Sequence, residues 1–339
     1  MPEYSPYAHG GPAGHGVIRT APEAFQVEEV LGFTPEGQGE HVFLWVEKRG
    51  ENTEWVAKQL ARLAGVPPRA VGYAGLKDRH ALTRQWFSVH LPGRADPDWT
   101  PLNSDSIRIL QTQRHRKKLP KGALTGNRFR LSVSLGEVQQ DQLESRLQQV
   151  AAQGVPNYFG EQRFGREADN VEQARRWFAG LDDKPDRYLS GIYLSAARAF
   201  LFNEILAERV MTGSWNQALT GDVFMFGRGH SFFTAPEITD EIRQRVAAGE
   251  IHPSGPLWGK GETPVAGLVQ ALEQRHAGGH ADLCGGLEQQ GVEMSRRPLR
   301  LMAEQLVWQR SQDTLCLEFF LPAGGYATTV LRELLVTSS

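Results

Sequence analysis

In the first half of the chain, apolar and polar residues alternate in several stretches. The clearest is residues 127–135, where Asn127, Phe129 and Leu131 alternate with arginine and serine. A period of two is typical of a half-buried β-strand, so Asn127 and Phe129 are predicted to lie on one face of the same strand. Shorter apolar stretches between polar or Gly- and Pro-containing segments predict further strands. These lie at residues 25–30, 41–48, 71–76 and 84–91.

Apolar residues at helical spacing become frequent after Gly154. The first half has this pattern only at residues 53–63 and 141–150, whereas the second half has it repeatedly. Helices are predicted there at residues 171–178, 196–210, 242–248, 265–276 and 331–335. Ser195 and Thr263 precede two of these helices and are the expected N-caps, and Pro264 is the expected first helical residue after Thr263. Residues 314–320 alternate again and predict a late strand.

The order of these elements predicts the α+β class. Strands come first, helices follow, and a strand returns near the end, as in a core interrupted by an insertion. We expect the core to comprise residues 1–153 and 301–339, and the inserted domain to comprise residues 154–300.

Composition describes an ordinary globular protein. Of 339 residues, 40% are hydrophobic and 22% are charged. No apolar run approaches the ~18 residues of a membrane span, and the first residues lack the basic and apolar regions of a signal peptide. The two cysteines, Cys284 and Cys316, lie far apart, as expected of buried small residues in a reducing compartment. We therefore expect a cytoplasmic protein without a membrane partner.

The formal net charge of −2 gives no general attraction to nucleic acid. The distribution of charge is uneven, however. Five basic residues and no acidic ones lie between positions 114 and 121. They are Arg114, Arg116, Lys117, Lys118 and Lys121. Such a run is either a solvated face or a surface that contacts phosphates.

The candidate motifs for cofactor and metal binding lack the residues or the spacing that such sites require. Residues 255–261 resemble a phosphate-binding loop but are one residue short and have Gly where Ser or Thr must meet magnesium. His276, His280 and Cys284 are spaced four apart, yet Gly278 and Gly279 weaken a helix there and a fourth zinc ligand is not evident. We therefore expect neither a cofactor nor a metal.

One polar turn between two predicted strands carries candidate chemistry. It places Asp78 between Lys77 and Arg79, two cations that can keep the aspartate ionised. From the residues alone, this segment is either a catalytic carboxylate or a surface turn with satisfied charges.

The same segment, Ala-Gly-Leu-Lys-Asp-Arg-His-Ala-Leu-Thr-Arg-Gln at residues 74–85, resembles the AGxKDxxAxTxQ signature of the TruD family of tRNA pseudouridine synthases. Other stretches resemble the family in the same order along nearly the whole chain. They lie at residues 9–19, 22–29, 39–41, 52–53, 121–129, 154–165, 194–203 and 321–333. Departures are few: Ala24 stands where the family often has Asp, and Tyr326 where Phe is common.

This resemblance implies a pseudouridine-synthase-like core with a mixed, mainly antiparallel sheet. It also implies an inserted α/β domain that forms the other wall of an RNA-binding cleft. The implied activity is cofactor-independent isomerisation of a uridine in tRNA, at uridine 13 of the D-arm in substrates such as glutamate tRNA. The base would be flipped out of its stack to be reached.

The resemblance also implies roles for individual residues. Asp78 would be catalytic and Arg19 its basic partner, in preference to Lys77. Phe25, Asn127, Phe129 and Tyr326 would line the nucleotide pocket, with Phe129 stacking on the uracil. Core packing is the alternative role for each aromatic residue, and for Phe25 most of all.

Several alternatives stay open at this point. Asp78 could attack C1′ of the ribose or remove the 2′ proton. The chain could act on another RNA, or it could be a non-catalytic tRNA-binding or RNA-folding module. Nothing in the sequence indicates an obligate dimer, so we expect a monomer with tRNA as its partner.

Overall fold

The computed structural model describes residues 5–165, 169–229 and 231–338. The chain divides into two compact units, each built from separate segments. The sheet unit comprises Gly14–Gln139, Glu304–Gly325 and Val336–Ser339. The helical unit comprises Met1–Ala13, Gln140–Ala303 and Tyr326–Leu335. The predicted functional division into a core and an inserted RNA-binding domain stays a prediction.

The sheet unit is built on a ten-stranded mixed sheet. Its elements are β1 Gly14–Val17, β2 Phe25–Leu31, β3 His41–Arg49, α1 Thr53–Ala64, β4 Val71–Tyr73, β5 Leu82–His90, β6 Ile107–His115, β7 Leu124–Val138, β14 Glu304–Arg310, β15 Thr314–Pro322 and β16 Val336–Ser338. The central order is β14-β15-β7-β2-β5-β3-β6, with β4 beside β5 and β1 between β7 and β16. All these pairs are antiparallel except β2 with β5 and β1 with β16.

Alternation along β7 sets the two faces of this sheet. Phe129 and Leu131 are buried, whereas Arg128 and Arg130 between them are exposed, as the period of two predicted. In register, Phe129 lies opposite Val27 of β2 and Phe319 of β15. These apolar neighbours fix the register, since a slip by one residue would expose the entire apolar face.

Helix α1 covers the outer part of the same sheet. Its buried residues Val56 and Leu60 pack with Val42, Leu44 and Val46 of β3. The helix ends at Gly65, whose φ of 62° lies in the left-handed region that glycine adopts readily. The chain then turns into β4, and the loop from residue 74 to 81 leads into β5.

The helical unit contains most of the helices and a four-stranded sheet in the order β10-β9-β11-β12. Its elements are α2 Gln140–Gln153, β8 Val155–Pro156, α3 Asn170–Phe178, α4 Arg187–Met211, β9 Val223–Phe226, β10 Phe232–Thr234, α5 Asp240–Ala247, β11 Ile251–Leu257, α6 Gly267–Gly279, α7 Ala281–Gln289, β12 Ser295–Pro298, β13 Arg300–Leu301 and α8 Ala327–Leu334. β8 and β13 form a separate antiparallel pair. Helix α4 is the longest, with 25 residues.

Two predicted helix starts are wrong. Ser195 lies inside α4, because this helix already begins at Arg187. Its N-cap is Asp186, whose side chain accepts a hydrogen bond from the Leu189 amide. Thr263 does not cap α6, which begins at Gly267. Its hydroxyl instead donates to Glu273 and accepts from Arg296, so a buried tertiary network uses this side chain.

The overall architecture is α+β, as predicted, with most strands in one unit and most helices in the other. Among the described residues, no helix combines the length and apolar character that crossing a membrane requires.

Candidate active site

Asp78 lies in the loop between β4 and β5, with its carboxylate held from two sides. Its Oδ2 accepts a hydrogen bond from Nη2 of Arg19 at 2.6 Å, and its Oδ1 accepts one from the backbone amide of His80 at 2.9 Å. The side chains of Arg19 and Asp78 are 22% and 33% exposed. The carboxylate is therefore fixed in orientation yet open to a ligand.

Arg19 is placed by an uncommon backbone conformation. It follows β1 with a φ of 59°, in the left-handed region that residues other than glycine rarely adopt. Its guanidinium carbon lies 4.3 Å from the centroid of the Phe25 ring, a cation–π contact. Its Nε is buried and has no hydrogen-bond partner among the described residues. Backbone strain of this kind often accompanies functional positions.

Lys77, the sequence neighbour of Asp78, is directed elsewhere. Its Nζ lies 2.6 Å from Oε2 of Glu29 on β2, and both side chains are buried. The other oxygen of Glu29 accepts a hydrogen bond from the amide of Trp86. Of the two cations weighed as partners for Asp78, the structure brings Arg19 to the carboxylate and uses Lys77 to attach the loop to the sheet.

Three further buried side chains hold the Asp78 loop, and the sequence reasoning gave them no role. Nζ of Lys48 donates to the carbonyl oxygens of Asp78 at 2.9 Å and of Glu51 at 2.7 Å. Thr53 accepts from the Lys77 amide and donates to Gln85, whose amide group donates to the Gly75 carbonyl. The loop carrying Asp78 is therefore attached to β3, α1 and β5.

Lys48 is fully buried, and burial lowers its pKa from 10.5 to about 8, with attraction to Asp78 acting in the opposite direction. Above this pH the neutral amine has two hydrogens to donate instead of three. Between pH 8 and 10.5 the unfolded chain binds this proton more tightly than the folded protein. The free energy of unfolding due to Lys48 therefore rises with pH in that window.

Lys48→Met is expected to lower kcat about ten- to a hundredfold, because hydrogen bonds from a charged donor to the Asp78 loop are lost. KM should change little, since Lys48 does not reach the surface. Wild-type kcat is expected to fall above pH 8 as Lys48 loses its proton. Lys48→Arg should restore part of kcat and move this fall to higher pH. Steady-state kinetics across pH measure both effects.

Lys58→Met, an exposed change on α1, is the matched control. Equal kcat in Lys48→Met and Lys58→Met would contradict this role.

Phe25 and Phe129 form an aromatic cluster with Phe319. The Phe129 ring stacks on Phe319 at 5.4 Å and meets Phe25 edge-on at 6.3 Å. Phe129 is 7% exposed and Phe25 4%, so both contribute to packing in the free protein. Through Phe25, the cluster connects to the guanidinium of Arg19.

Asn127 lies two residues before Phe129 on the same face of β7. Its Oδ1 is buried and has no hydrogen-bond partner among the described residues. A buried acceptor left unsatisfied destabilises a protein by ~1–3 kcal/mol. Asn127 therefore offers an acceptor that a ligand can satisfy.

Tyr326, the remaining predicted site residue, belongs to the helical unit, where it precedes α8. Its hydroxyl accepts a hydrogen bond from Nη2 of Arg163 at 2.7 Å. The structure thus groups Arg19, Phe25, Asp78, Asn127 and Phe129 in the sheet unit and places Tyr326 in the helical unit.

The three candidate zinc ligands have other partners. His276 contacts the Glu208 carboxylate at 2.9 Å, and His280 contacts Arg175 at 3.3 Å. Burial raises the pKa of the Cys284 thiol to about 12, which disfavours the thiolate that metals bind. Among the described residues, no group of three His, Cys, Asp or Glu side chains is arranged to hold a metal ion.

The basic run contributes partly to structure. Arg114 pairs with Asp96, Arg116 pairs with Glu36, and Lys118 donates to the carbonyl of Arg69. Lys117 and Lys121 are exposed. Among the described residues, neither lysine has an ion pair or a side-chain hydrogen bond, so two of the five cations present their charge to solvent.

The fold is that of a pseudouridine synthase. The structure is similar to a crystal structure of a TruD-type protein from Methanosarcina mazei, with a TM-score of 0.73 over 97% of this chain and 95% of the other. Sequence identity is 21%, so this likeness shows the fold alone.

Sequence comparison identifies the family. The model for tRNA pseudouridine synthase D (TruD) matches residues 3–174 and 171–334. The tRNA pseudouridine synthase D of Methylococcus capsulatus is 52% identical over 330 residues, covering 97% of this chain and 93% of that protein. Its counterpart from Aeromonas salmonicida is 49% identical, covering 99% and 95%. The chain belongs to the TruD family.

Proposed function

We propose that this protein converts a uridine of tRNA to pseudouridine, with Asp78 as the catalytic residue. Membership of the TruD family and relatives named tRNA pseudouridine synthase D support the reaction. The observation that carries the residue assignment is the partly exposed Asp78 carboxylate clamped by Arg19. This arrangement keeps an anion ready for a reaction at the ribose.

The reaction rearranges atoms without adding any. The bond between N1 and C1′ breaks, the base turns, and a bond between C5 and C1′ forms. The hydrogen leaves C5, and N1 gains a proton. No electrons are gained or lost overall, so the chemistry needs neither a redox cofactor nor an energy source. Asp78 acts by attacking C1′ or by removing the 2′ proton, and Arg19 orients the carboxylate in both cases.

The base must leave its stack for this reaction, and the aromatic cluster offers a surface for it. Stacking on Phe129 holds the uracil while allowing it to rotate in its plane, whereas several hydrogen bonds would prevent rotation. The free Oδ1 of Asn127 can accept from the uracil N3–H or the ribose 2′-hydroxyl. Phe25 supports the site by holding Arg19.

Phe129→Leu is expected to lower kcat/KM about ten- to a hundredfold, because base–aromatic stacking contributes ~1–3 kcal/mol. Phe129→Tyr should be milder, since the ring is kept. The Phe87→Leu variant is the matched control, because Phe87 is fully buried in the core beneath α1. Thermal unfolding and specific activity of the folded fraction are measured together. If Phe129→Leu lowers Tm but keeps wild-type specific activity, Phe129 is only a packing residue.

Uridine 13 of the D-arm is the proposed target within tRNA. The test uses an unmodified glutamate tRNA transcript and a second transcript with cytidine at position 13. After incubation with the protein alone, the modified position is mapped by carbodiimide labelling and primer extension. Pseudouridine at position 13 of the first transcript and none in the second is the expected result. Pseudouridine at another uridine in both would reject this target.

A non-catalytic tRNA-binding module is the competing function. Such a module gains nothing from an exposed carboxylate beside the phosphates it must bind, because like charges repel. The mapping experiment separates the two, since a binding module leaves every uridine unchanged.

The oligomeric state, the partner and the cellular compartment are part of the same proposal. We propose that the protein acts as a monomer on tRNA in the cytoplasm, where tRNA is the abundant substrate. Light scattering of the protein with and without tRNA measures the oligomeric state. A single-chain mass that persists at catalytic concentrations is expected.

A further inference from the structure

We propose that Arg163, with the hydroxyl groups of Ser195 and Tyr326, forms a binding site for a backbone phosphate of the RNA. All three residues belong to the helical unit, whereas Asp78 belongs to the sheet unit. The site rests on the proposed function in one respect, because tRNA is the RNA it would bind.

The guanidinium of Arg163 is held by two neutral groups. Nη1 donates to Oγ of Ser195 at 2.9 Å, and Nη2 donates to the hydroxyl of Tyr326 at 2.7 Å. Each hydroxyl accepts from the arginine, so its own hydrogen is available to donate. All three side chains are half-buried and therefore reachable from solvent. The result is a cation flanked by two orientable hydrogen-bond donors.

Buried arginines elsewhere in this unit are neutralised by carboxylates or, in Arg300, hydrogen-bonded to His252 and to backbone carbonyl oxygens. Arg209 pairs with Asp222 and Arg296 pairs with Glu273, all of them nearly inaccessible. Arg163 has no carboxylate at ion-pairing distance within the described ranges 5–165, 169–229 and 231–338. Among the described residues, its charge is met by the two hydroxyl dipoles and the Phe159 ring, which leaves a position for an anion.

A second arginine increases the positive potential at the same place. The guanidinium carbons of Arg297 and Arg163 lie 4.2 Å and 5.6 Å from the centroid of one ring, that of Phe159. Burial, with a smaller contribution from the positive charge of Arg163, lowers the pKa of Arg297 to about 10. Arg297 remains charged at neutral pH. An anion bound beside Arg163 would relieve the repulsion between the two cations.

Arg198 shows how an arginine with a purely structural role differs. Its Nη2 donates to the carbonyl oxygens of Leu257 and Glu293 and to the hydroxyl of Ser295. These contacts join α4 to β11, to β12 and to the chain before β12, so they have a structural role. Among the described residues, the guanidinium of Arg163 donates its hydrogen bonds to hydroxyl groups, which can also donate to a bound anion.

A phosphate diester fits these donors better than a carboxylate. It presents two terminal oxygens on a tetrahedral centre, which a planar guanidinium and hydroxyls on either side can reach together. Phosphate contacts of this kind position nucleic acids without reading their sequence. The site would therefore orient tRNA rather than select the uridine.

The test compares Arg163→Gln with Arg243→Gln. Arg243 is paired with Asp240 on α5, so its loss changes the net charge equally without touching the proposed site. Dissociation constants for unmodified glutamate tRNA are measured over a range of salt concentrations. Arg163→Gln is expected to weaken binding about tenfold and to reduce the slope of log Kd against log salt by ~0.7–0.9.

A second variant keeps the result interpretable if Arg163→Gln unfolds. Ser195→Ala removes one neutral donor, so it should weaken binding a few fold while leaving the salt slope unchanged. Unchanged affinity and slope in Arg163→Gln with a wild-type Tm would overturn the site, as would unchanged affinity in Ser195→Ala. A wild-type protein that binds tRNA but forms no pseudouridine would reject the proposed function and leave this comparison valid, because it measures binding alone.

Discussion

Asp78→Asn is expected to abolish pseudouridine formation while leaving the fold and tRNA binding intact. The amide has nearly the shape of the carboxylate but carries no charge and is neither a base nor a nucleophile at the ribose. Its oxygen can still accept from Arg19 or from the His80 amide, so the loop keeps its main attachments. The anchors from Lys48, Thr53 and Gln85 do not involve this side chain. A loss of kcat of at least ~10⁴-fold is expected, the scale seen when a reacting group is removed.

Single-turnover kinetics and tRNA binding measure the effect of Asp78→Asn. Asp105→Asn is the matched control, because Asp105 is exposed in a loop of the same unit. It makes the same change of charge and should keep wild-type activity. Pseudouridine formed by pure Asp78→Asn protein at well above ~10⁻⁴ of the wild-type rate would remove Asp78 from the chemistry.

Replacement of Arg19 is expected to have the second-largest effect. Arg19→Met leaves the Asp78 carboxylate without its cation and frees it to rotate, since only the His80 amide still holds it. Losing one preorganised charged donor lowers kcat by ~10²–10³-fold in comparable sites. Arg19→Lys keeps a positive charge over the Phe25 ring and one donor for Oδ2, so most of that loss should be recovered.

The control for Arg19 is another ion pair of the same unit, Arg49 with Glu23. Its atoms approach to 2.6 Å, but both side chains are about half exposed. Exposed pairs contribute at most ~1 kcal/mol to stability. Arg49→Met should therefore leave kcat close to wild type. Equal losses of kcat in the two methionine variants would show that general electrostatics, rather than the Arg19–Asp78 contact, sets the rate.

The sequence was informative where local pattern decides structure. The alternation from Asn127 to Val133 predicted a strand with Asn127 and Phe129 on one face, and the structure has that strand as part of β7. The α+β class and the family were also predicted correctly. The strand predicted at residues 71–76 is shorter, because the chain leaves β5 after Tyr73 to form the Asp78 loop.

Side-chain contacts between residues far apart in the sequence could not be predicted from local sequence patterns. Lys48 continues the buried face of β3 after Val46, and its acceptor at Asp78 is 30 residues away. Arg163 and Tyr326 are 163 residues apart. Thr263 satisfies the local rules for a helix cap, but its hydroxyl is used by Glu273 and Arg296 instead. In each case tertiary contacts, which local sequence does not specify, decide the role.

The measurement that tests the account most directly is release of tritium from tRNA labelled at C5 of uracil. The wild-type protein is incubated with unmodified [5-³H]uridine tRNA in buffer containing EDTA and no nucleotide. Because pseudouridine forms its new bond at C5, each turnover must release that label. The account predicts release that stops at one equivalent per tRNA with wild type and with Asp105→Asn, and none with Asp78→Asn. No release by wild type, or equal release by Asp78→Asn, would contradict it.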